Sequence, residues 1–189
     1  MRFMKTKVTG ASDLCRMPAL HFLDSARKEF AYYRSLGDKT FAQVEDADLF
    51  RIPAPGSNSI AVIVQHLHGN MLSRWTDLLT TDGEKAWRDR DGEFEPMMAT
   101  RAELLTRWNQ GWDCLFAAMD PLVPADLERA IRIRTETHTV AQAITRQLAH
   151  VPYHVGQIVL LGKLFKGELF VSLSIPRGGT ARFNKEKGL

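Results

Sequence analysis

Apolar residues recur along most of this chain at spacings of three, four and seven, the rhythm of helices with one buried face. Four such segments stand out. From Pro18 to about Glu45 the stripe is Leu20, Leu23, Phe30, Tyr33, Leu36, Phe41 and Val44; Pro18 suits a first-turn position and Gly37 weakens the middle. From about Ser59 to Thr80 it is Ile60, Ile63, Val64, Leu67, Met71, Trp75, Leu78 and Leu79, with Ser57 or Asn58 able to cap the start. From Thr100 to Met119 it is Leu104, Leu105, Trp108, Trp112, Leu115, Phe116 and Met119, with Thr100 and Glu103 in capping-box form and Pro121 as the stop. A fourth helix is expected from about Val140 to Phe165.

The intervening segments read differently. Residues 46–58 carry Pro53, Pro55 and Gly56, and the spacing predicts a connection without regular structure. Residues 81–99 are a long charged loop in which Trp87 and Phe94 argue for packing back onto the body. Pro124 opens at most one short turn. Ile131-Arg132-Ile133-Arg134 alternates, and Thr135 to Val140 is rich in β-branched residues, so a small β-hairpin with its turn near Thr135-Glu136 is expected before the last helix. The tail from Ser172 to Asn184 has no period and is expected to drape over the body or cross to a partner subunit. The layout is thus a flexible extension over 1–17, a helical domain over 18–170 and a packing tail over 171–189. Met17, where the clear pattern begins, is a second candidate for the start of translation.

Composition narrows the class. Hydrophobic residues at 44% and charged residues at 25% fall in the globular range. The longest apolar runs, such as Ile60 to Val64, are too short to cross a bilayer, and the first residues lack the apolar core of a secretory signal, so a cytoplasmic protein is expected. Cys15 and Cys114 make no disulfide framework. The net charge of +3 comes from basic tails around a net acidic body, which argues against a nucleic-acid partner.

The chemistry concentrates in Ala149 to Ile158. His150 and His154 stand four apart, on one face of a helix, a spacing that lets both grip one metal ion. Pro152 between them removes a backbone donor, and a kink is expected there. Gln157 continues the polar stripe. The best third ligand is His66, which forms a column with Asn70 and Arg74 beside the apolar stripe of the second helix and so marks a site wall. Asn70 and Gln157 are candidates to orient the ligands from behind, and Tyr153 and Arg74 are candidates to contact substrate. His21, His68 and His138 are expected to be exposed. Three imidazoles suit zinc, nickel, iron or manganese and leave coordination positions open, the mark of a catalytic site. Residue 151 is Val, so the glutamate base of the zinc-protease HExxH motif is absent.

Four amphipathic helices, a histidine in the second, a long crossover, a hairpin, and His150-x-x-Tyr153-His154-x-Gly156-Gln157-Ile158 in the fourth resemble the DinB-like superfamily of bacterial metal-binding four-helix bundles. Gln65 to Trp75, Asp82 to Lys85, Trp87 to Asp91, Glu93 to Glu95 and Ser174 to Gly178 resemble one branch without an assigned function. The resemblance implies an all-α, up-up-down-down bundle, frequently a homodimer, with His66, His150 and His154 as metal triad and zinc or nickel as the leading metals. Characterised members include thiol transferases and isomerases that use bacillithiol, mycothiol or glutathione. The resemblance therefore implies a metal-dependent transferase of a low-molecular-weight thiol to small electrophiles. A metal-dependent hydrolase and a non-catalytic metal-binding or interaction protein are the alternatives. No nucleic-acid or membrane partner is expected.

Overall fold

Caps fix where the helices of this protein start. The structure, a computed structural model, describes residues 11–188. Its α-helices are α1 (Ala11–Phe41), α2 (Asp46–Phe50), α3 (Ile60–Trp75), α4 (Arg101–Met119), α5 (Val140–Lys166) and α6 (Thr180–Glu186), with one hairpin of β1 (Ala130–Ile133) and β2 (Glu136–Thr139). Ser59, rather than the expected Ser57 or Asn58, caps α3 by accepting the Val62 N–H. Thr100 with Glu103, and Thr139 with Gln142, form reciprocal capping boxes at α4 and α5, which satisfy backbone donors that a helix end otherwise leaves open. Gly167, with φ of 57°, ends α5.

Three expectations about where helices lie change. Helix α1 begins at Ala11, so Pro18 lies inside it rather than in its first turn. Residues 46–50 are helical, because Glu45 and Asp48 cap one another and Leu49 is fully buried. The tail contains α6 after Val171, whose backbone pairs with the Gln43 side chain on the segment following α1. The first ten residues of the expected N-terminal extension lie outside the described residues. Helix α5 runs unbroken from Val140 to Lys166 across Pro152. No helix among the described residues is long and apolar enough to cross a membrane.

The four long helices enclose one core, with α3 against α4 and α5, and α1 against α5 and α4. Trp75, Trp108 and Trp112 are fully buried there, and Phe30 meets the edges of Trp75 and Trp112. Side-chain contacts set the helix directions. Arg27 reaches the Met119 carbonyl, Asp38 accepts from Trp108, and Arg101 reaches the Phe41 carbonyl, so α1 and α4 are antiparallel. His68 meets Gln110 and Thr76 meets Cys114, so α3 and α4 are parallel. Asn70 meets Gln147 and His66 meets His150, so α3 and α5 are antiparallel. In chain order the directions are up, down, down, up, which corrects the expected up-up-down-down order. The physical reason is the segment 76–100: it is long enough to run back along a helix, so α3 and α4 need not alternate.

That segment is anchored to the hairpin. Ala130 pairs with Thr139 and Ile133 with Glu136, leaving Arg134 and Thr135 as a two-residue turn with φ of 54° and 67°. Such values are disfavoured for residues with a Cβ. The Asp82 carboxylate compensates by accepting the N–H groups of Arg134 and Thr135, each at 2.8 Å, as well as that of Glu84. These bonds hold the Asp82 carboxyl below its ordinary pKa. The charged loop is therefore not simply solvated: Gly83 and Glu93 are buried, although Trp87 stays exposed.

Gly37 shows how closely α1 approaches α4. The Trp108 ring occupies the space a Cβ would need. Gly37→Ala should lower unfolding stability by about 1–3 kcal/mol through overpacking, measured by urea denaturation. A gain of about 1 kcal/mol, the intrinsic helix preference for Ala, would show that Trp108 moves freely.

Candidate metal centre

Helix geometry places His66, Asn70 and Arg74 one turn apart along α3. It does the same for Arg146, His150 and His154 along α5. Because the two helices run antiparallel, His66 faces His150 and His154, while Asn70 faces Gln147 one turn further on. One potential ligand atom from each of the three histidines lies within 4.8 Å of the others, close enough to hold one metal ion.

The nitrogen positions are more informative than the proximity. His66 Nδ1 lies 2.9 Å from Glu93 Oε2. A carboxylate only accepts, so Nδ1 carries a proton and Nε2 is the nitrogen that can present a lone pair to a metal. His154 Nδ1 lies 2.9 Å from Gln157 Oε1, which likewise leaves Nε2 free as a ligand. His66 Nε2 and His150 Nε2 are 3.2 Å apart. Two nitrogens bound to one tetrahedral zinc at about 2.0–2.1 Å stand about 3.3 Å apart. The buried Nδ1 of His150 has no hydrogen-bond partner among the described residues. With its proton on Nδ1, His150 directs a second lone pair at that of His66, an arrangement a cation between them would relieve.

Burial keeps the His150 and His154 rings neutral. The His150 pKa is lowered to about 3, first by burial and then by the electrostatic repulsion its protonated ring would meet from His154, His66, Arg88 and Arg74. That of His154 is lowered by burial, against the opposing bond to Gln157. Neutral imidazole is the form that binds metal.

Sequence reasoning missed the support behind His66. Glu93 sits in a short turn of the loop, is itself buried, and accepts from Arg88 Nε at 2.7 Å and Nη2 at 2.9 Å. Burial alone would raise its pKa; the bonds from His66 and Arg88 outweigh this and lower it. Phe94 stacks on the His66 ring with centroids 5.0 Å apart. No spacing rule links a loop glutamate to a helix 27 positions away. The one local hint is Gly69, a helix interior glycine over which the Glu93 carboxylate lies.

The other predicted residues divide. Gln157 bonds a histidine, whereas Asn70 Oδ1 accepts from Gln147 Nε2 at 3.1 Å. Arg74 is buried and lines a pocket with His66 and His150. Tyr153 is 64% exposed; its ring edge meets His154 outside that pocket. Of the three histidines expected to be exposed, His21 is so, while His68 and His138 are half-buried, held beside Gln110 and Glu136.

A family model described as "Protein of unknown function (DUF1572)" matches residues 18–179. No curated protein and no solved structure matches the chain.

Two outcomes follow from this geometry. Gly69→Ala should displace the Glu93 carboxylate and weaken metal retention about tenfold, within the range for losing such a supporting bond, measured by chelator competition; unchanged retention would mean Glu93 does not orient His66. In metal-free protein, the unfolded chain binds a proton at His150 near pH 6.5 while the folded chain does not until about pH 3. The unfolded state then holds more protons across that window, so stability is full above it and falls as pH falls through it. Denaturant midpoints measured from pH 7 to 5 should decline, and His150→Gln should flatten the decline; an equal slope in both proteins would contradict this account.

Proposed function

We propose that this chain, which belongs to the DUF1572 family of proteins of unknown function, is a metal-dependent enzyme of the DinB-like type. In this reading its four packed helices form a DinB-like bundle, and His66, His150 and His154 hold one divalent transition metal, zinc or nickel. The observation that carries the reading is the convergence of three imidazoles, two of them backed by Glu93 and Gln157. The donor set fits the metal: all nitrogen, three ligands, and an open side facing a pocket.

The reaction we favour is transfer of a low-molecular-weight thiol to a small electrophile in the cytoplasm. A metal there would supply a bound thiolate at neutral pH. The chain's own residues do the rest. Glu93 and Gln157 hold two rings in the ligating tautomer, Arg88 fixes Glu93, and Phe94 shields one face of His66. Hydrolysis fits less well. Glu93 is hydrogen-bonded to His66 and Arg88, which leaves it poorly placed to serve as a general base. The homodimer remains part of the proposal, supported by exposed Leu160 and Leu164 on the outer side of α5.

Metal analysis of untagged protein tests the first step. About one equivalent per chain is expected, lost in His66→Ala and His154→Ala; metal that is absent, or unaffected by both changes, overturns the reading. Loading with cobalt then tests the second step. A thiolate-to-metal absorption band on adding glutathione, bacillithiol or mycothiol, together with consumption of a model electrophile, is expected. Tight metal without either response would leave a binding protein rather than a transferase.

A further inference from the structure

The pocket beside the histidines has a volume of about 110 Å³ and an unusual wall. Arg74 comes from α3, Arg88 and Arg90 from the long loop, Arg134 from the hairpin turn and Arg146 from α5. Five arginines from four separate parts of the chain thus line one recess. Carboxylates answer only some of them. Glu93 pairs with Arg88, and Glu84 pairs with Arg134 at 2.9 Å. Arg74, Arg90 and Arg146 have no carboxylate partner among the described residues.

Arg74 is the decisive member. Only 5% of it is exposed, it lines the pocket, and its buried Nη1 has no hydrogen-bond partner. An unpaired buried charge is costly, and such groups are found paired or serving a ligand. Crowding adds to the cost: burial, then the charge of Arg146, lowers the Arg74 pKa to about 10, which still leaves it charged at neutral pH. Asn70 reinforces the pattern. Its Oδ1 is taken by Gln147, so its NH₂ is left to donate.

We propose that this pocket binds an oxyanion group, a carboxylate or phosphate carried by the small molecule that reaches the three histidines. Guanidinium forks match both groups, and a cationic recess draws anions to itself. The volume fits one functional group rather than a whole ligand, since ligand sites are commonly several-fold larger. The bulk of the molecule then lies outside the pocket, with its anion held by Arg74 and Arg146 and its reactive end toward His66 and His150. Anion binding itself needs no metal; only its role as a substrate handle rests on the function proposed above.

Calorimetric titration with inorganic phosphate and with succinate, each on metal-loaded and chelator-treated protein, tests this. At least one anion should bind both forms, and the tighter of the two identifies the group. Arg146→Ser, an exposed change on α5 that leaves folding intact, should weaken binding about tenfold, the scale of one charge-assisted hydrogen bond. Arg74→Met should weaken it at least as much. His154→Ala should lose metal yet keep anion binding, which separates failure of the metal reading from failure of this one. Absence of binding by either anion, binding indifferent to both arginine changes, or binding only when metal is present would each overturn the proposal.

Discussion

Everything at the candidate centre depends on the antiparallel register of α3 against α5. Three rings meet only if His66 stands level with the span from His150 to His154, and Asn70 with Gln147 one turn away records the same register. Slipping one helix by a single turn would carry His66 about 5.4 Å along α5 and past one end of that span, so the three rings would no longer meet. The core enforces the alignment. Leu67 and Met71 on α3, and Val151, Val155 and Ile158 on α5, are fully buried in one cluster, so apolar packing and the polar column constrain each other.

The loop between α3 and α4 is the second constraint. Its length frees α3 and α4 to lie parallel, and its interior provides Glu93 and Arg88 behind His66. Asp82 ties the same loop to the hairpin turn, which delivers Arg134 to the pocket. One ordered segment thus links helix direction, ligand orientation and pocket charge. This explains why a stretch that reads as solvated charge contains a buried glutamate and an arginine whose side chain is 2% exposed.

Charge is distributed differently in space than along the chain. By sequence the basic excess sits in the tails, and the body is net acidic. Folding nonetheless gathers five arginines from the body around one recess. Acidic side chains elsewhere take up other arginines in single ion pairs, Asp113 with Arg34 across α4 and α1 and Asp126 with Arg129 three positions on. A charge count over a segment averages over faces, so it says nothing about a pocket that draws one or two residues from each element.

What the sequence determined alone is what short-range physics encodes. The four long helices, the cap at Thr100, the hairpin, the shared face of His150 and His154, and the column of His66, Asn70 and Arg74 all follow from spacings of a few residues. Tertiary structure decided the rest. Helix directions, the short α2 held by buried Leu49, the pairing of Glu93 with His66, the turn of Asn70 toward Gln147 and the gathering of arginines each join residues far apart in sequence or depend on burial against a distant surface. A hydrogen bond across 27 or 77 positions leaves no periodic trace, because the chain between its partners is free to vary in length and pattern as long as the two ends meet.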